Sequence, residues 1–263
     1  MEDVLTELPP PSRFFLEDLN NFTPPAPSLP SPFILLSNPN PQTSPLRPSL
    51  LIIALSTPSL YLLHNVSSKT LIGTLVLPEI SLSGNSVEPS LKDKSCNLYA
   101  INHGNESIIL ANFQYSVSPE RTHAIAKTLI GQQIIPDKVL IFDSVQSRNF
   151  RGRISTDDTF AMKLETAIQR REAPLLKNLN YFPSGSVLEG LGAALLGRCQ
   201  IKNIKGTLCV SWPEVGGSVT SMLKALLATD VLPGVELKVD ANGEDEGLRF
   251  GQKNYYLDSE LYT

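Results

Sequence analysis

The chain is short of charge, of sulfur and of histidine, and each shortage removes a class of function. Charged residues make up 18% of the 263, and 22 Lys and Arg stand against 26 Asp and Glu. No basic excess is available to neutralise phosphates, which argues against a nucleic-acid binder. His64, His103 and His123 are scattered, and no His-Glu-x-x-His occurs. Cys96, Cys199 and Cys209 show no Cys-x-x-Cys spacing. A metal site needs clustered ligands, so none is expected, and no cofactor is expected either. The same three thiols fit buried residues in a reducing compartment. No apolar run approaches the roughly 18 residues of a membrane span. The first residues lack a charged region followed by an apolar stretch, and Glu2, Asp3 and Glu7 are acidic. The expectation is a soluble cytoplasmic chain, with the nucleus also open to it.

Catalytic signatures are equally scarce. The Gly-x-Ser-x-Gly elbow of α/β hydrolases is absent. Gly190, Gly192 and Gly197 do not fit a Gly-x-Gly-x-x-Gly phosphate loop. Ser184-Gly185-Ser186 precedes an expected helix and could hold an anion, but a capping role explains it more simply. Val215-Gly216-Gly217-Ser218 reads the same way. The one feature worth keeping is Asp143-Ser144, at the end of an expected core strand. That is where open α/β sheets bind ligands.

What the chain has in quantity is proline, and its placement divides the sequence. Twelve of the 21 prolines lie within residues 1–50. Residues 1–48 therefore read as an extended lead, with a polyproline stretch at Pro24-Pro25-Ala26-Pro27. Residues 49–239 carry the core patterning. Residues 240–263 hold six acids against Arg249 and Lys253, the whole of the net charge of −4, and read as a flexible acidic tail.

Within the body, residues 50–55, 60–64, 70–77, 97–101 and 107–115 read as strands, the last two joined by a turn at His103-Gly104-Asn105. Residues 78–95 read as a surface loop. Ser118-Pro119-Glu120 opens a helix with Ile125, Ala126, Leu129 and Ile130 on one face. Residues 138–142 form a strand. Phe160, Leu164, Ala167 and Ile168 recur at helical spacing. Ser186-Val187-Leu188-Glu189 reads as a capping box for a helix ending near Gly197. Residues 207–212 form a strand. Val219, Met222, Leu223, Leu226 and Leu227 define a helix closed by Pro233-Gly234. Strands followed by alternating strands and helices predict a single α/β domain, a mixed β-sheet flanked by helices.

The chain ends Leu261-Tyr262-Thr263. A terminal carboxylate, a rigid phenol and an apolar side chain on a flexible segment suit capture in a partner's pocket. This ending is similar to the hydrophobic–Tyr–X motif that docks onto proteasome rings. With the order of elements over residues 50–227, it resembles the proteasome assembly chaperone 1 family. The resemblance implies a non-enzymatic chaperone of 20S proteasome assembly. It implies a heterodimer with proteasome assembly chaperone 2, seated on the ring of α subunits. Leu261, Tyr262 and Thr263 would enter a pocket between two α subunits, with the Thr263 carboxylate facing a lysine. Two other readings stand beside it: a small-molecule enzyme or binder of phosphorylase- or hydrolase-like type at Asp143-Ser144, and an adaptor working through residues 1–48.

Overall fold

A computed structural model describes residues 29–37, 45–103, 106–155, 157–172 and 174–237. The chain divides into Met1–Pro30 and Ser31–Thr263, and the sheet and its helices belong to the second unit. The tail residues Leu261, Tyr262 and Thr263 and the acids from Asp240 lie outside the described residues.

Nine strands form one mixed sheet. In chain order they are β1 (Phe33–Leu36), β2 (Leu50–Ala54), β3 (Thr70–Val76), β4 (Cys96–His103), β5 (Glu106–Phe113), β6 (Lys138–Ser144), β7 (Phe160–Glu165), β8 (Asn180–Tyr181) and β9 (Lys205–Trp212). Across the sheet the order is β1-β3-β4-β5-β2-β6-β9-β7-β8. The centre, β5-β2-β6-β9, is parallel, and its residues run Leu-Leu-Ile-Ile-Ala in β2, buried throughout. Continuous apolar runs of this kind belong to parallel strands covered on both faces. The flank β1-β3-β4-β5 is antiparallel.

Four helices cover the sheet: α1 (Thr57–His64), α2 (Thr122–Leu129), α3 (Gly190–Ile201) and α4 (Gly217–Leu226), the last running into a π turn at Leu227–Val231. One face packs Leu51, Ile53, Leu98, Ala111, Ile141 and Val210 against Ile125 and Leu129 of α2 and Leu191 and Leu195 of α3. The other packs Ile52, Leu110, Leu140 and Cys209 against Leu60 and Leu63 of α1 and Val219 and Leu223 of α4. All three cysteines are buried, none in a disulfide. At the β1 end, Ile34 packs with α2 while Phe33, Leu35 and Leu71 are exposed.

Four local expectations are corrected. Residues 60–64 belong to helix α1, not to a strand. Pro58 sits in the first turn with its φ preset for helix. Leu60, Tyr61, Leu62 and Leu63 are all buried, so no polar stripe marks the helix. Phe160 and Leu164 lie on strand β7, not on a helix. Phe160, Met162 and Leu164 face one side, and the alternate positions Lys163 and Glu165 are buried as an ion pair at 3.4 Å. Lys163 also donates to the Leu176 carbonyl, and Glu165 accepts from Tyr181 Oη. Ser186 does not cap α3, which starts at Gly190 and passes Gly197 to end at Ile201. The Ser186 hydroxyl instead accepts the Arg151 N–H, and Ser184 offers its carbonyl to the Arg151 guanidinium. Finally, the sheet begins before Leu50: β1 pairs with β3, and Leu46 bridges to Ile134.

Residues 78–95 form a loop with internal organisation. Asp93, buried, accepts the amides of Ser86 at 2.9 Å and Ser90 at 2.8 Å. Asn85 accepts the Lys94 amide and donates to the Lys94 carbonyl. Glu79 ties the start of the loop to Arg121 at 2.6 Å, ahead of α2.

Candidate functional site

Parallel strands deliver their C-terminal ends to one edge of the sheet. The chain leaves β5 toward α2 on one face and leaves β2 toward α1 on the opposite face. Connections that diverge from adjacent parallel strands open a crevice between them, the usual ligand position in such sheets. Here the crevice is a cavity of about 290 Å³. Leu55 lines it after β2, Phe113 at the end of β5 with Tyr115 and Val117 beyond it, and Glu214 after β9. Asp143, Ser144 and Gln146 come from the end of β6, and residues 187–191 form the wall ahead of and within α3.

Asp143-Ser144, picked from the sequence as a strand end, thus sits at the floor of the cavity. Asp143 Oδ1 accepts the Ser144 amide at 2.8 Å. Oδ2 lies over the first turn of α3, where a Cβ added to Gly192 would stand 2.3 Å from it. Only a glycine allows that approach. Burial of the carboxyl raises its pKa, the Ser144 amide opposes the rise, and the nearby Glu214 adds to it. The net effect pushes Asp143 up to about 7. Ser144 has no histidine among the cavity-lining residues to act as its base.

The α3 wall is held from the next loop. Asn149 donates to Glu189 at 2.7 Å, Arg148 pairs with the same oxygen at 3.3 Å, and Val187 donates to the Asn149 carbonyl. The Asn149 and Arg148 contacts hold the Glu189 carboxyl below its ordinary range. Sequence reasoning missed Tyr115, Glu214, Glu189 and Gly192 as parts of this site. The signal for Glu214 was available, since it follows β9 as Asp143 ends β6. Nothing in the spacing could have placed Gly192 against Asp143.

The other candidates do not converge. His64 closes α1 and His123 lies in the first turn of α2. Ser184 and Ser186 hold Arg151, and Ser218 shares a hydrogen bond with Thr159 at 2.9 Å. Among the described residues no group of three or more His, Cys, Asp or Glu is placed to hold a metal ion.

No family model and no curated protein matches the chain. Solved structures do. Pyrococcus furiosus PbaA, an archaeal homologue of proteasome-assembly chaperone, aligns over 87% of this chain and 92% of its own, with a TM-score of 0.58 at 13% identity. Pyrococcus furiosus PbaB, an archaeal proteasome activator, aligns over 88% and 99%, with a TM-score of 0.58 at 12% identity. A Thermoplasma acidophilum protein of unknown function aligns over 83% and 90%, with a TM-score of 0.52 at 18% identity. At these identities the likeness is one of fold: this chain has the fold of archaeal proteasome-assembly chaperone homologues.

Proposed function

We propose that this chain is a non-enzymatic chaperone of 20S proteasome assembly. It works as a heterodimer with proteasome assembly chaperone 2 in the cytoplasm, and in the nucleus where proteasomes assemble there. It guides formation of the α ring, and Leu261, Tyr262 and Thr263 dock between two α subunits. The observation that carries the reading is the fold shared with PbaA and PbaB over nearly their full lengths. The Leu261-Tyr262-Thr263 ending adds to it from the sequence.

Physical magnitudes favour a two-part interface. A charge-assisted pair at the Thr263 carboxylate contributes about 1.5–3 kcal/mol. Burial of Leu261 adds roughly 1.5–3 kcal/mol, and the Tyr262 ring a similar amount. Ordering the tail and losing rigid-body freedom cost several kcal/mol. The tail alone therefore binds weakly, on the order of 10 µM or worse. A folded body and a partner's surface raise its effective concentration by orders of magnitude.

The test is a pull-down from cell extract with the intact chain and with a chain lacking residues 261–263, read by mass spectrometry. The intact chain is expected to bring down α subunits and a second α/β chaperone. The truncated chain keeps the chaperone and loses the α subunits. Absence of proteasome subunits from both samples would sink the proposal.

A further inference from the structure

The cavity at the strand ends has a chemistry that docking onto a ring does not use. Its charged lining is acidic: Asp143, Glu189 and Glu214, with neither lysine nor arginine among the lining residues. Glu189 is already matched by Arg148 and Asn149. Asp143 is not matched. Asp143 is half-buried where it lines the cavity, Oδ1 takes the Ser144 amide, and among the described residues no hydrogen bond reaches Oδ2. A half-buried carboxyl with a raised pKa, lining a cavity that brings no cation of its own, is a candidate for completion by a ligand. The opposite wall is apolar and aromatic, with Leu55, Phe113 and Val117. The start of α3, which by itself would favour an anion, is already faced by Asp143.

We propose that this cavity binds a small organic cation. Its ammonium group pairs with Asp143 and Glu214, and its apolar body lies against Leu55, Phe113 and Val117. A volume of about 290 Å³ suits a head group with a short side chain or a single ring. The ammonium supplies the donor that Asp143 Oδ2 lacks. The aromatic wall adds a cation–π attraction. The same head group occurs on a free amine and on a lysine side chain of a protein partner.

The proposal is independent of the chaperone reading and is tested on the isolated full chain. Benzylamine and benzyl alcohol, matched in shape and different in charge, are titrated by calorimetry and ligand-observed NMR. Benzylamine is expected to saturate a single site, with benzyl alcohol at least about tenfold weaker. Asp143→Asn, which keeps the shape of the side chain, and Glu214→Gln are each expected to weaken benzylamine about tenfold or more. Nα-acetyl-lysinamide in parallel assigns the source. Binding as tight as benzylamine supports the site with a lysine side chain as its occupant, and weaker binding supports it with a free amine. Equal affinity for amine and alcohol overturns the proposal. So does undiminished benzylamine binding in Asp143→Asn, and so does failure of benzylamine to saturate by about 10 mM. Loss of proteasome contacts in the pull-down leaves this titration unaffected, so the two readings fail separately.

Discussion

Asp143 sits in an environment that its type disfavours. Its pKa rises from 3.8 to about 7 through burial and the proximity of Glu214, against the pull of the Ser144 amide. The folded chain therefore holds a proton that the unfolded chain has released between those two values. Stability falls as pH rises through that window, and the deficit is complete above pH 7. Asp143→Asn removes the half-buried charge. Its melting temperature should match the parent near pH 4 and exceed it at pH 8, by the equivalent of about 2 kcal/mol. Thermal melts across pH check this, and a variant less stable at pH 8 would refute it. Gly192 is coupled to the same carboxyl by contact. Gly192→Ala should destabilise by about 1–3 kcal/mol through the clash with Asp143 Oδ2. In an Asp143→Ala background the clash is gone. The substitution should then stabilise by up to about 1 kcal/mol, the helix preference of alanine over glycine. A double-mutant cycle by denaturant melts reads the change of sign.

Several elements owe their conformation to neighbours more than to their own pattern. Helix α1 is apolar almost all round because the sheet and α4 enclose it, so its period cannot show. Strand β7 hides the burial of its second face because that face carries Lys163 and Glu165. Phe160, Met162 and Leu164 do alternate, and that period of two was legible. The loop over residues 78–95 is organised by one carboxylate, Asp93, that gathers two amides. Asp93→Ala should speed amide hydrogen exchange at Ser86 and Ser90 by about tenfold or more, with core strands β2 and β6 unchanged. Unaltered exchange at Ser86 and Ser90 would show that the loop is held by other contacts.

For the molecule as a whole, tethering decides the proposed function. A free peptide of residues 240–263 should compete poorly for proteasome rings, while the full chain with its partner binds well. Competition binding measures both, and equal affinities would remove the two-part interface. Truncations that probe the proline-rich lead must stop at Pro30. Removing residues 1–48 would also remove β1 and the Leu46 bridge, and loss of function would then report a damaged sheet.

The sequence by itself determined the α/β class and the central strands. Residues 50–54 and 138–142 are apolar almost without interruption and rich in β-branched residues, the pattern of strands in a doubly covered sheet. It also determined α2 and α4, whose apolar stripes face the sheet from one side each. It marked Asp143 as a strand end. Tertiary structure alone decided that residues 57–64 form a helix, that Lys163 and Glu165 are inside, and that Ser186 serves Arg151 in place of a helix end. It alone brought Glu214, Gly192 and Asp143 together across more than 70 residues of chain. The physical reason is common to all of these. Periodicity records which side of an element meets the core, and it carries no information where an element is enclosed on every side or where the partner comes from a distant part of the chain.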